Sequence, residues 1–259
     1  MSRLLTAELI RMTKDKVFHR ILILIGISCV IVAGFIALDY AQRPTTKPPH
    51  MEFLLYTYFF IAGMILSILE SFFVGVKFTE RTINNQLICG YTKEEVYASS
   101  LLTCSTTAIA IQLFFLMLMT ILQYVLFGSY QVTMQEILIM QCKGIFISLS
   151  YTSLMHFLVM QTRKTADAVV LTLLFSIMIL VVSIYVHTKL YPAIGITSLS
   201  EREIIGFKIL DYGLPSGQAI SLSDAEHDPA LWMYAVCCAG MMALTNFFGI
   251  SIFRKKDLN

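Results

Sequence analysis

The sequence has few charged residues: Asp, Glu, Lys and Arg together make up 14% of its 259 residues, whereas soluble domains carry about 25%. Hydrophobic residues make up 57%. A fold surrounded by water cannot keep so much apolar surface from solvent, so lipid must replace water around much of the chain. The composition excludes an ordinary soluble domain and predicts an integral membrane protein.

Motifs that mark common catalytic sites are also missing. The sequence has no G-x-x-x-x-G-K-[ST] segment to cradle nucleotide phosphates and no H-E-x-x-H segment to bind a catalytic zinc ion. Glu94 and Glu95 lack the nearby Arg of a glutamate-type intramembrane protease, and no Ser–His or Cys–His pair can be assigned. We predict that the chain is not an enzyme and that it binds no cofactor itself.

The six cysteines have none of the paired spacings of metal-binding motifs. Cys89 lies in a polar stretch and is expected to be reduced. The other five fall in or near apolar segments, where a thiol packs as a small hydrophobic group: Cys29, Cys104, Cys142, Cys237 and Cys238. The sequence therefore predicts no metal site.

Six apolar runs are each long enough, at about 20 residues, to cross a bilayer as a helix. They cover residues 21–38, 53–76, 96–127, 137–160, 168–186 and 231–253. Every backbone polar group in hydrocarbon must be satisfied within the protein, and these runs are too long and alternate too little to be barrel strands. We predict an all-α membrane protein with six transmembrane helices.

Lys and Arg residues are concentrated on one side of this arrangement. Because the number of spans is even, both termini share a side with the connections between spans two and three and between spans four and five. That side carries Arg3, Arg11, Lys14, Lys16, Arg20, Lys77, Arg81, Lys93, Arg163, Lys164, Arg254, Lys255 and Lys256, and the other carries Arg43, Lys47, Lys189, Arg202 and Lys208. The asymmetry predicts cytoplasmic N- and C-termini.

The segment before the first span, residues 2–16, places Leu5, Leu9 and Met12 on one face of a helix and Glu8 mostly elsewhere. This pattern predicts an amphipathic helix lying in the membrane interface. A cleaved signal peptide would have a short apolar core much closer to the first residue.

A long outer loop, residues 187–230, separates spans five and six. Within it, Ser200 followed by Glu203 is typical of a helix start, and Gly213 ends the pattern. A second short helix is predicted from near Ser216. We expect both helices to lie at the outer leaflet; a plain surface loop is the alternative.

A polar stretch between spans two and three, residues 77–97, also has helical periodicity. Ile83, Leu87, Ile88 and Tyr91 recur at spacings of about three and four, so one face of a short helix is apolar. Gly90 supplies a helix stop. Such a helix suits contact with a partner at the membrane face; a solvated loop with one helical turn is the alternative.

This stretch resembles the first cytoplasmic loop of the ABC-2 type permeases, the membrane subunits of one class of ATP-driven transporter. The residues that match are Thr82, Ile83, Asn85, Leu87, Ile88, Gly90, Tyr91, Lys93 and Tyr97. The family usually has Gly where this chain has Arg81, and basic residues where it has Asn84 and Gln86. The resemblance implies a coupling helix over residues 79–91 that contacts an ATPase through Glu80, Arg81, Ile83, Asn84, Asn85, Leu87, Ile88, Gly90 and Tyr91.

The resemblance implies a single ABC-2 transmembrane domain over residues 1–259, in a bacterial cytoplasmic membrane. Its partners would be a soluble ATPase subunit, which binds the ATP and Mg²⁺, and a second permease subunit, identical or related; no nucleic acid is involved. The chain is similar to exporters that expel antimicrobial peptides, bacteriocins or drugs, as lantibiotic immunity transporters do. A membrane scaffold or sensor and an ATPase-independent channel are the alternatives.

Several polar residues fall inside the predicted spans. A carboxylate in lipid costs a few kcal/mol, so Glu70 is expected to face protein or water, with a hydrogen bond to a Ser or Thr of span three. Glu70 then either lines the transport path or is a satisfied packing group. Lys143 is expected to extend its stem outward, and His156 to be packed and hydrogen-bonded. Three further candidates for the pathway or for coupling are Thr103, Thr107 and Asn246.

Overall fold

The computed structural model describes residues 2–42, 52–128, 132–192, 200–224 and 226–256. Two cations used to predict the orientation, Arg43 and Lys47, lie outside these ranges, as does part of the predicted outer loop. The regular structure of the described residues consists of ten helices: α1 Ser2–Thr13, α2 Lys16–Gln42, α3 Glu52–Thr79, α4 Thr82–Ile88, α5 Lys93–Leu126, α6 Met134–Gln161, α7 Thr165–Leu190, α8 Glu201–Gly213, α9 Pro215–Ser223 and α10 Leu231–Lys255.

Six of these helices are long and apolar enough to cross a membrane: α2, α3, α5, α6, α7 and α10. The prediction of an all-helical fold with six spans is confirmed for the described residues, and the chain has the build of a multi-pass membrane protein. Most of these helices run a few residues beyond the predicted apolar segments, because polar residues continue the helix past the apolar ones. The side of the membrane on which the termini lie stays a prediction.

Reciprocal hydrogen bonds fix where three helices begin. In each case a Thr or Ser side chain accepts from the backbone N–H of a Glu three residues later, and that Glu side chain accepts from the backbone N–H of the Thr or Ser. The pairs are Thr92 and Glu95 before α5, Thr133 and Glu136 before α6, and Ser200 and Glu203 before α8. All three pairs lie at span ends or between spans, where the chain is polar.

Helices α3 and α6 form the centre of the bundle. In each, 61% of the most apolar window is buried inside the protein, against 22–28% in the other four spans. The two helices approach closely at Gly144, where a Cβ atom would overlap the ring of Phe59. Helix α7 packs on α3 and α10 packs on α6, while α2 lies at the edge against α5 and α3. The apolar outer faces of the peripheral helices are left for lipid or another chain.

A hydrogen-bonded layer of side chains joins α5 to α6 inside the bundle. The Gln112 amide nitrogen donates to the backbone oxygen of Gln141 at 3.1 Å and to its side-chain oxygen at 3.0 Å. The Ser148 hydroxyl donates to the Gln112 amide oxygen at 2.9 Å. All three side chains are buried, so α5 and α6 satisfy one another's polar groups inside the bundle.

The two short helices between α7 and α10 differ in burial. Every residue of α9 from Pro215 to Leu222 is buried, and the helix packs among α3, α6 and α7. Its Ser216 shares a hydrogen bond of 2.7 Å with Ser183 of α7. In α8, by contrast, Ile205 and Ile209 are exposed. The sequence favoured helices at the outer leaflet, and the family resemblance implied partly re-entrant helical elements in this loop; helix α9 is inserted into the bundle. That the two helices lie on the outer side stays a prediction.

The packed face of α1 differs from the predicted one. Its buried residues are Leu4, Glu8 and Met12, four residues apart on one row, whereas Leu5 and Leu9 are only half-buried. The prediction that Glu8 lies off the packed face is wrong, because α1 packs against the protein along this row and Glu8 has a cationic partner there, described below.

Candidate functional site

Helix α4 is the site that the resemblance singles out, and it links the ends of α3 and α5. It runs over Thr82–Ile88, shorter than the predicted 79–91. The residue before it, Arg81, has φ 57° and ψ 20°, the left-handed conformation that L-residues with a side chain rarely adopt. Arg81 is the one non-glycine residue with positive φ in the described chain. This turn separates the end of α3 from the start of α4.

A glycine closes α4 at its other end. Gly90 has φ 93° and donates from its N–H to the Leu87 oxygen at 3.0 Å, while the Tyr91 N–H donates to the Gln86 oxygen at 3.2 Å. This left-handed glycine and its two bonds are a helix C-terminal motif. The predicted helix stop at Gly90 is therefore where the structure places it.

The apolar residues of α4 and its turn do not share one environment. Ile83 is fully buried, and Leu87 and Tyr91 pack half-buried against the core. Ile88 instead has 83% of its surface exposed, more than any other large hydrophobic residue described. The apolar stripe expected from the sequence thus divides into residues that hold α4 to the bundle and one that projects from it.

The other residues assigned to coupling lie around this helix. Asn84 is half-buried and has an interaction partner. The exposed ones are Glu80, Arg81, Asn85 and Gly90. The loop therefore presents a small polar surface around Ile88.

Replacing Arg81 by Gly is expected to stabilise the protein by about 1 kcal/mol, because glycine adopts the left-handed conformation without the steric cost that a Cβ atom carries. Thermal unfolding in detergent measures this as a higher melting temperature. Glu80→Gly is the matched control: Glu80 does not have positive φ, so glycine there adds only unfolded-state entropy and lowers the melting temperature. An unchanged or lower melting temperature for Arg81→Gly would contradict the expectation.

A buried ionic network, which sequence analysis missed, connects α1 to this loop. Lys77 near the end of α3 holds Glu8 of α1 as an ion pair, with Nζ and Oε2 2.7 Å apart and both side chains nearly unexposed. Lys77 also donates to the Ser100 hydroxyl at 2.6 Å. The other Glu8 oxygen accepts from the Gln86 amide of α4 at 2.6 Å. One carboxylate thus joins α1, α3 and α4.

A second contact holds α1 against α3. The Arg11 guanidinium donates to the backbone oxygen of Phe73 at 2.9 Å and lies 4.9 Å from the centre of its ring. The Lys77 Nζ atom lies 4.8 Å from the centre of the same ring. The ring of Phe73 therefore receives two cations near the end of α3, which adds cation–π attraction to the ion pair.

Glu70 does not make the hydrogen bond that the sequence suggested. Its partner is His156 of α6, with Oε2 and Nδ1 3.1 Å apart; no bond to a Ser or Thr of α5 is found in the described chain. Thr103 and Thr107 donate instead to the backbone oxygens of Ser99 and Thr103, each one turn earlier in their own helix. The Glu70 prediction is wrong because a hydroxyl in a helix interior readily bonds its own preceding turn.

Three other predictions for polar residues have clear outcomes. Asn246 does bond to a neighbour, as its side-chain oxygen accepts from the Tyr97 hydroxyl at 3.4 Å, and His156 is fully buried with its ring 4.8 Å from that of Tyr97. Lys143 does not extend freely, because it is buried and pairs with Asp228 in the segment before α10. The sequence could not indicate this pairing, since 85 positions separate the two residues.

Lysine side chains join the start of α5 and the end of α6 to the end of α10, close to α4. Lys93 donates to the backbone oxygens of Arg254 and Lys256, and Lys256 donates to those of Met160 and Thr162. Burial, followed by the nearby charge of Arg163, lowers the pKa of Lys256 to about 8. It therefore stays largely protonated at neutral pH and satisfies helix C-terminal carbonyls.

No protein-family model matches the sequence, and no curated protein matches it significantly.

Proposed function

We propose that this chain is the membrane subunit of an ABC-2 type exporter in a bacterial cytoplasmic membrane. A separate ATPase subunit carries the ATP and Mg²⁺, and two permease subunits, identical or related, enclose the path. The proposal rests on the sequence of the α4 loop and on one structural observation, the exposure of Ile88.

Ile88 supports the proposal because of where it lies. Most large exposed hydrophobic residues of the protein belong to spans, where lipid covers them, but α4 is a seven-residue helix in a polar loop between two spans. An exposed isoleucine there has no lipid to cover it and suits the apolar pocket of a soluble partner.

The contacts of α4 supply a route for force. The ATPase subunits close together on binding ATP and press on α4 and α1. Because Ile83 and Leu87 pack on the bundle and Glu8 bonds both Lys77 and Gln86, α4 and α1 move with the ends of α3 and α5. These two spans then tilt and open the path toward the other side of the membrane.

The cargo that fits this class of exporter is hydrophobic or amphipathic. An antimicrobial peptide or bacteriocin, taken from the membrane in which it inserts, is the cargo we propose, with a drug of similar character as the alternative. In that reading the protein gives its host resistance or immunity to the peptide.

Ile88→Asp is expected to release the ATPase. The tagged protein is purified in mild detergent from its native cells, and the proteins that accompany it are quantified by mass spectrometry. A P-loop ATPase is expected with the parent chain and at no more than a tenth of that amount with Ile88→Asp, because burying a carboxylate in an apolar pocket costs more than about 1.4 kcal/mol, the equivalent of tenfold in affinity.

The matched control is Ile205→Asp. Ile205 is likewise an exposed helical isoleucine outside the spans. Its helix, α8, contacts the C-terminal end of α7 through Asp211 and His187. The N-terminal end of α7 lies near α4, where Thr165 bonds Thr79, so Ile205 and Ile88 lie at opposite ends of α7. Ile205→Asp should keep the ATPase. Leu87→Asp is less suitable because Leu87 packs against the core. Absence of any P-loop ATPase, or equal loss in both variants, would overturn the proposal and favour a scaffold, sensor or channel.

A further inference from the structure

Three potential metal ligands from three different spans meet inside the bundle. They are Glu70 of α3, Cys104 of α5 and His156 of α6, and one ligand atom from each lies within 4.8 Å of the others. All three residues have no exposed surface. The sequence did not suggest this cluster, because its members are 34 or more positions apart and match no metal-binding spacing.

Two polar atoms of the cluster lack hydrogen-bond partners. Glu70 and His156 make one contact with each other, at 3.1 Å, and the second oxygen of Glu70 and the Nε2 atom of His156 have no hydrogen-bond partner. Buried polar atoms are rarely left in this state, and each one calls for an explanation such as an ion. Two unpaired ligand atoms on two helices, with a thiol beside them, are what an empty coordination shell would leave.

The chemistry of the three groups selects the ion. A thiolate, an imidazole and a carboxylate are the three ligand types that Zn²⁺ takes in proteins, at distances that place neighbouring ligand atoms about 3.5 Å apart. The ligand atoms now lie within 4.8 Å of one another, so each distance between them needs to shorten by at most about 1.3 Å to bind Zn²⁺. Magnesium and calcium prefer all-oxygen shells and do not suit a thiol. We propose that Glu70, Cys104 and His156 form a zinc site within the membrane bundle.

Charge balance favours the bound ion at this depth. The Cys104 thiol loses its proton to solvent when the metal binds. One thiolate and one carboxylate then neutralise the two charges of Zn²⁺, with a neutral imidazole as the third ligand. Among the nearby charges, Lys77 and Glu8 cancel each other in their ion pair, and the Arg11 guanidinium, which bonds the Phe73 backbone oxygen, adds one positive charge. A neutral complex avoids the cost of an unpaired charge in a medium of low dielectric constant.

The position of the site gives it a mechanical role. Glu70 lies seven residues before Lys77 in α3, about 10 Å along the helix at 1.5 Å per residue. The ion would fasten α3, α5 and α6 to each other just inside the segment that leads to α4. This inference does not depend on ATP-driven transport, and it would hold equally for a channel or a scaffold.

Binding of Co²⁺ and Zn²⁺ to the purified chain tests the site. Stripped of metal in detergent and titrated with Co²⁺ alone, the parent protein is expected to develop the near-ultraviolet absorption band of a cobalt–thiolate bond, which Zn²⁺ then abolishes. Zinc measured by mass spectrometry should approach about one ion per chain. Cys104→Ser and His156→Gln should each lower the zinc content at least tenfold.

The controls separate this site from adventitious thiol binding. Cys29→Ser removes another buried thiol, outside the cluster, and Cys89→Ser removes an exposed one; both variants should keep the zinc and the cobalt band. No cobalt–thiolate band in the parent protein overturns the proposal without reference to any variant. A band that disappears with Cys89→Ser, or persists unchanged in Cys104→Ser, overturns it as well.

Discussion

Replacing Lys77 by Met is expected to lower the free energy of unfolding by about 3–5 kcal/mol, because it leaves the carboxylate of Glu8 buried without its cation. Glu8 is 2% exposed and Lys77 is fully buried, so water cannot take the place of the ammonium group. The loss also removes the bond to Ser100 and the cation over Phe73. Equilibrium unfolding in mixed micelles measures the change.

The double variant Glu8→Gln with Lys77→Met distinguishes an unpaired charge from lost packing. It removes both charges and keeps a side chain that can still accept from Gln86, so most of the lost stability should return, as for buried pairs replaced together. If the double variant is as unstable as Lys77→Met, the buried charge is not the cause. Loss of α1 packing on α5 would then be the better explanation.

Gly217→Ala is expected to destabilise the protein by about 2–3 kcal/mol. A Cβ atom at Gly217 would overlap the backbone carbonyl of Asp211 at the end of α8, and backbone moves aside less easily than a side chain. Helix α9, which carries Gly217, is buried among three spans, so it has little room to shift. Thermal unfolding of the variant in detergent measures the loss.

Gly206→Ala on α8 provides a control of opposite sign. No atom lies within 4 Å of a Cβ built at Gly206, which is exposed in a helix interior. Alanine there should raise stability by up to about 1 kcal/mol through its higher helix propensity. Equal changes at Gly206 and Gly217 would mean that the contact between α8 and α9 does not limit what position 217 can accept.

The spans were predictable because each follows from a local property, an apolar run about as long as a bilayer is thick. The predicted helix start at Ser200 likewise depends on a residue three positions later, Glu203. The stop at Gly90 depends on the one residue type that adopts positive φ freely. Hydropathy and capping therefore account for most of the architecture.

The polar contacts inside the bundle were not predictable in the same way. Glu8 meets Lys77 across 69 positions and Glu70 meets His156 across 86, so each pairing depends on how the helices pack. The packed face of α1 was predicted wrongly because apolar periodicity treats a carboxylate as a surface residue. Glu8 is buried because Lys77 pairs with its charge. Within α4, periodicity identified the apolar residues but could not tell the packed Ile83 from the projecting Ile88.

The central position of α6 has a consequence for biosynthesis. A ribosome makes α3 and α5 before α6, and the buried partners of Glu70 and Gln112 lie on α6: His156, Gln141 and Ser148. Until α6 has been released from the translocation channel, these two polar side chains stand in or beside lipid without the groups that satisfy them, at a cost of a few kcal/mol for the carboxylate. The early spans therefore gain by remaining at the channel until α6 arrives, so that the middle of the bundle enters the bilayer as one unit.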